Sequence, residues 1–222
     1  MSDDFGFGAQ VGVGYTLNPN ISLGAFYHTA VQTEYEDVFD FNTDGTYDDL
    51  KLSQPAEYGV GVAYKKDAIT VTADVKQIMW SDADGYDKFG WDDQTVIALG
   101  AAYDVSPKLT LRAGYSHAES PIDESFKGAT LSNASNPPAQ YPAGNVAYFN
   151  MMGFPAISQD HITAGLGYKF TDKIGVDLAF VHSPKETLKV DDRALGANMQ
   201  LGAMQVSNEQ NSISGALKYK FD

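Results

Sequence analysis

The sequence predicts an all-β protein, an antiparallel transmembrane β-barrel of about nine strands. Three observations carry that expectation. Apolar residues recur at every second position rather than with helical spacing, the connections between these segments are short and long in strict turn, and glycine and aromatic residues are frequent (21 Gly, 13 Tyr, 12 Phe).

The alternation begins at Phe5, where Phe5, Phe7, Ala9, Val11, Val13 and Tyr15 share one face and Gly6, Gly8, Gln10, Gly12 and Gly14 the other. A second segment runs from Ile21 to Gln32, with Ile21, Leu23, Ala25, Tyr27, Thr29 and Val31 on the apolar side. After a polar stretch from Glu34 to Gln54, Tyr58, Val60, Val62 and Tyr64 alternate with Gly59, Gly61 and Ala63, and a tight turn at Lys65 to Ala68 leads into Ile69 to Trp80. Thr95, Ile97, Leu99, Ala101 and Tyr103 make the next segment, followed by Leu109, Leu111, Ala113 and Tyr115. Beyond a long insert come Ile162 to Phe170, then Ile174, Val176, Leu178 and Phe180, and last Ile213 to Phe221.

The short connections fall at Leu17–Asn20, Lys65–Ala68, Val105–Lys108 and Thr171–Lys173, and the long ones at Glu34–Gln54, Ser81–Gly90, Glu119–Gln159 and Ser183–Gln210. Short turns on one rim and long loops on the other are the habit of outer-membrane barrels. A soluble β-sandwich has no reason to sort its loops in this way. Residues 1–222 read as a single barrel region. The face opposite the apolar one is built from Gly, Ala, Ser and Thr with a few charges, Asp74, Lys76, Arg112, Lys169, Asp177 and Lys218, which suits a wet or narrow lumen.

Composition narrows the function classes. With 15 Lys and Arg against 29 Asp and Glu, net charge −14, the chain lacks the basic footprint that nucleic acid needs. It has no cysteine, which excludes disulfides and thiolate-held metals. No apolar run approaches the roughly 20 residues of a membrane-spanning helix. Enzyme motifs are absent, no cofactor is expected, and Ser116 and His117, adjacent on a strand, point to opposite faces. Asp40, Asn42, Asp44 and Asp48 copy the first part of a calcium loop, but Lys51 stands where the terminal acid belongs, so an acidic Asp-Gly turn is the plainer reading.

Gln54-Pro-Ala-Glu-Tyr-Gly-Val-Gly-Val-Ala-Tyr64, Ala73-Asp-Val-Lys76 with Trp80-Ser81, Phe89-Gly-Trp-Asp-Asp-Gln-Thr95, Leu111-Arg-Ala-Gly-Tyr115 with Ser120-Pro-Ile122, and Asp160-His-Ile-Thr-Ala-Gly-Leu-Gly-Tyr168 stand in an order and spacing that resemble the FadL/TodX family of outer-membrane transport proteins. The resemblance implies a 14-stranded barrel of which these are the last nine strands, without the N-terminal hatch and early strands. It also implies a location in the bacterial outer membrane, a monomeric parent in contact with membrane lipid, and uptake of long-chain fatty acids or aromatic hydrocarbons, most simply the former. The ligand would move through an apolar lumenal pocket and leave sideways into the bilayer. A non-specific porin or structural barrel, and a soluble β-sandwich binding module, are the alternatives.

Candidate ligand-binding residues follow. Tyr148, Phe149, Met151, Met152, Phe154 and Ile157 form an apolar cluster in an outer loop, able either to catch a hydrophobic ligand or simply to pack the loop onto the rim. Phe26, Ile78, Trp80, Val96 and Val181 fall on the small-residue face and could line the lumen. For a carboxylate head group the resemblance points to Lys88, and Arg112 is a second cation on the inner face. Arg112 could equally pair with Asp74 or Asp177 as part of the wall.

Overall fold

The computed structural model describes residues 5–39, 45–122, 148, 150–153, 157–191 and 203–221. Its strands are β1 (Gln10–Asn18), β2 (Ile21–His28), β3 (Glu34–Phe39), β4 (Asp48–Lys51), β5 (Glu57–Lys66), β6 (Ile69–Ile78), β7 (Gln94–Asp104), β8 (Leu109–Ala118), β9 (Asp160–Lys169), β10 (Ile174–Asp191) and β11 (Ala203–Tyr219). Nine of them form one sheet in the order β1-β2-β5-β6-β7-β8-β9-β10-β11, while β3 and β4 make a separate hairpin in the β2–β5 connection. Every neighbouring pair is antiparallel, and the sheet is not closed: β1 pairs only with β2 and β11 only with β10 among the described residues.

Register converts the sequence alternation into two surfaces. Tyr15, Leu23, Val62, Ala73, Leu99, Tyr115 and Ile162 stand opposite one another across seven strands, so one row of the apolar face is continuous. One residue along, Gly14, Gly24, Gly61, Asp74, Ala98, Ser116 and His161 form the matching row of the opposite face. A slip of one residue at any joint would exchange the faces, which is why the register must be uniform. The apolar rows have no second layer over them: Val13 is 68% exposed and Leu99 53%. Two sheets packed as a sandwich would bury those side chains.

The buried hydrophobic side chains lie instead beyond one end of the strands. Phe89, Trp91, Ile122, Met151, Ile157, Leu188 and Val190 form a packed cluster, flanked by Leu52, Trp80, Tyr86, Met204 and Val206. All come from the long connections or from the far ends of β10 and β11, and an isolated bridge between Trp91 and Ile122 ties two of the loops together. The turns at the other end are short, as at Asp67, whose positive φ of 51° lets the chain reverse between β5 and β6.

Three expectations about elements need correction. Residues 5–9 are not part of the first strand, whose ladder begins at Gln10 opposite His28, and Phe7 is 90% exposed. The expected strand from Ile69 to Trp80 stops at Ile78, and Trp80 starts a single 3-10 turn, Trp80–Asp82. The stretch from Ser183 to Gln210, expected as an insert, carries the β10–β11 hairpin on to Asp191 and Ala203. Its alternation was hidden by a bulge: Ser183 pairs with Gln210 and Glu186 with Asn208, so Pro184 and Lys185 together face one residue. Proline suits such a site because its missing N–H is not needed there. The extra residue shifts the parity, so that Leu188 and Val190 turn to the same side as Ser183 and enter the packed cluster.

Two outcomes test this description. In the whole protein, Leu99→Arg should destabilise the fold by about 2–4 kcal/mol, the cost of a cation in the middle of a face that meets hydrocarbon, as read from unfolding in lipid vesicles. Deleting Lys185 alone should leave Leu188 and Val190 inward and the loops resistant to protease, whereas deleting Pro184 and Lys185 together should turn both residues outward and open the loops to cleavage.

Candidate functional site

The small-residue face owes its shape to what is missing from it. Gly24 stands opposite Gly61 and Gly12 opposite Phe26, so the neighbouring side chains stand around an open floor, a groove of about 650 Å³ lined also by Ala63, Thr72, Asp74, Lys76, Val96 and Ala98. That volume falls within the roughly 300–1,000 Å³ of small-molecule sites. Bare backbone lets side chains settle close by: a Cβ on Gly59, in the next row, would sit 2.6 Å from Phe26 Cε1 and 2.9 Å from Lys76 Cβ, and one on Gly61 would displace the Asp74 carboxylate.

Charge on this face is mostly paired. Lys76 donates to Glu57 at 2.9 Å, and His28 Nδ1 lies 3.0 Å from the other oxygen of the same carboxylate. Farther along the wall Arg112 donates to Asp177 at 3.0 Å, and Lys218 pairs with the other Asp177 oxygen. These pairs link β2, β5 and β6 at one place and β8, β10 and β11 at the other, so they knit the wall as well as neutralise it.

At the loop end the site is capped by aromatic rings. Trp80, Tyr86 and Trp91 stand with centroids 4.6–4.9 Å apart, tilted or edge-on, and Phe89 is edge-on to Tyr86 at 6.0 Å. Burial pushes the Tyr86 phenol up, with Tyr35 adding to the effect. Asn150 is fully buried among these residues, accepting from the Trp91 indole N–H at 2.6 Å and donating to the Phe89 carbonyl at 3.2 Å.

The candidate residues are therefore spread over several places. Phe26 and Val96 lie on the groove, and Arg112 is engaged by Asp177, not by Asp74. Trp80 belongs to the aromatic cap and Lys88 pairs with its sequence neighbour Asp87 in the same loop. Met151 is buried in the cap, where it packs the loop, while Met152 is 70% exposed. Phe149 and Phe154, and Asp40, Asn42 and Asp44 of the calcium-like turn, lie outside the described residues; Asp48 opens β4. The sequence reading missed Glu57, Asn150, Leu188 and Val190. Only Glu57 carried a signal, an acid at the start of a strand on the small-residue face, and register alone reveals that it meets Lys76.

A membrane-spanning antiparallel wall with an inner groove and structured loops at one rim defines a β-barrel transport protein. The comparisons specify which. Residues 1–132 match the family model described as "Outer membrane protein transport protein (OMPP1/FadL/TodX)", and the chain belongs to that family of outer-membrane transport proteins, which are channels rather than enzymes. It is 24% identical to the "47 kDa outer membrane protein" of Pasteurella multocida (strain Pm70), over 85% of this chain and 46% of that one, so it spans less than half the length of that relative. The toluene transporter TodX of Pseudomonas putida shares the fold, with a TM-score of 0.58 and 21% identity over 96% of this chain and 49% of that one. A FadL homologue of Pseudomonas aeruginosa does so too, with a TM-score of 0.56 and 16% identity over 96% of this chain and 52% of that one.

The cap can be tested by substitution. Asn150→Ala should leave the Trp91 indole N–H without its acceptor and loosen the loops at a cost of about 1–3 kcal/mol, seen as a red-shifted tryptophan emission and faster proteolysis while the β-sheet signal persists.

Proposed function

We propose that the protein to which this chain belongs takes up hydrophobic compounds passively across the outer membrane, through the inner groove, and releases them sideways into the bilayer. The observation that carries this is the groove itself, a concavity of about 650 Å³ whose lining is mostly small or apolar, with Asp74 and Lys76 as its charged members and Lys76 held by Glu57. On this reading residues 1–222 are one stretch of barrel wall with the apolar rows against lipid and the small-residue rows against the passage. The aromatic cap and the exposed Met152 form the outer entrance, and Phe26 the upper edge of the groove.

Long-chain fatty acid is the substrate the resemblance implies, with Lys88 or Arg112 for its carboxylate. A second reading, an uncharged aromatic compound, is favoured by one observation: both of those cations are already held by carboxylates, Asp87 and Asp177. A membrane-wall cation stripped of its partner is costly, so a head group would have to replace an existing pair.

Direct binding of oleate and of toluene to the full-length protein in detergent separates a carrier of hydrophobic compounds from a non-specific porin, which should bind neither. Gly24→Leu, which places a side chain in open groove space rather than against a neighbour, should weaken binding about tenfold, close to 1.4 kcal/mol, without affecting assembly. Unchanged affinity would remove the groove from the pathway.

A further inference from the structure

The groove contains one charge that the wall does not neutralise. Asp74 stands on the inner face of β6, with Gly61 opposite on β5 and Ala98 opposite on β7. Neither neighbour can reach its carboxylate, which lies over the bare backbone of Gly61. Among the described residues Asp74 has no hydrogen-bond or ion-pair partner, whereas on the same face Glu57 and Asp177 each hold two basic partners and Asp104 accepts from Thr110. The cation nearest along the strand, Lys76, shares its face but is committed to Glu57.

We propose that Asp74 makes this groove selective for uncharged hydrophobic ligands that carry a hydroxyl, phenols above all, and against the matching carboxylates. The inference rests on the groove being the substrate passage. Its logic is charge complementarity. A carboxylate between Gly61 and Ala98 is an acceptor without a donor, and a ligand hydroxyl supplies one in a hydrogen bond. An anionic head group at the same depth meets a like charge, while Lys76, the groove's cation among the described residues, is held by Glu57. A site built to hydrogen-bond a hydroxyl also discriminates against the analogue that lacks it. The ring of such a ligand has Phe26 at the edge of the groove to pack against.

Three ligands of one shape isolate the effect: p-cresol, toluene and p-toluate, titrated near neutral pH into the full-length protein in detergent. The wild type should bind p-cresol about tenfold or more tighter than p-toluate, a difference of at least about 1.4 kcal/mol, with toluene between them. Asp74→Asn keeps the shape and removes the charge, and Asp74→Ser guards against an effect peculiar to the amide. Both should gain affinity for p-toluate severalfold while leaving toluene within about twofold of the wild type. Equal wild-type affinity for p-cresol and p-toluate, or a ratio unchanged by both substitutions, would overturn the role of Asp74 while leaving the transport reading intact. Failure of all three ligands to bind the wild type would overturn both.

Discussion

Backbone hydrogen bonding is the constraint on which the rest of this structure depends. In hydrocarbon an unpaired N–H or C=O has no water to turn to, so a spanning segment must satisfy its main chain through its neighbours. The nine-stranded sheet does this joint by joint, each strand antiparallel to the next and in a register that keeps one face apolar across its whole width. Once that register is fixed, the side chains are sorted without further choice. The apolar rows become the outer surface and the small-residue rows the inner one, and the groove lies on the latter.

The same constraint explains where side-chain packing is found. A single-layer wall offers no interior, so its large apolar residues remain uncovered by protein and the packed cluster forms where water returns, among the long connections. There the aromatic rings, Met151 and the ends of β10 and β11 close over Asn150 and satisfy it. The bulge at Pro184 joins the two regimes. Below it, β10 keeps the strict alternation of the wall; above it, the shifted parity sends Leu188 and Val190 into the cluster. The buried hydroxyl of Ser183, beside the bulge, makes no hydrogen bond to the described residues, which marks this joint as the place where regular pairing gives way.

Much of the wall was legible because period two is a strong signal when it is sustained over eight to eleven residues, as in Gln94–Asp104. The sorting of short and long connections then revealed the two rims. What was not legible depended on partners rather than on pattern. Phe5 and Phe7 alternate as well as any strand, yet the β1–β2 ladder begins only at Gln10. Trp80 continues the phase of β6, yet it is claimed by Tyr86 and Trp91. In the outer hairpin one extra residue was enough to break the count. Arg112 shows the limit for the site: its sequence offered two carboxylates as partners, and only the register across β8, β9 and β10 brings Asp177 to it and leaves Asp74 alone.

The bare floor of Gly12, Gly24 and Gly61 bears on how such a passage can diversify. Width there is set by absent side chains, so a single methyl group alters the space while the main-chain ladder beneath stays untouched. Glycine becomes alanine by one base change. At Gly24, where there is room, such a change would narrow the channel; at Gly61 it would meet the tip of the Asp74 side chain, which must swing aside. Evolution can thus retune the calibre of this conduit at one position alone, and at the adjoining position together with the placement of its charge.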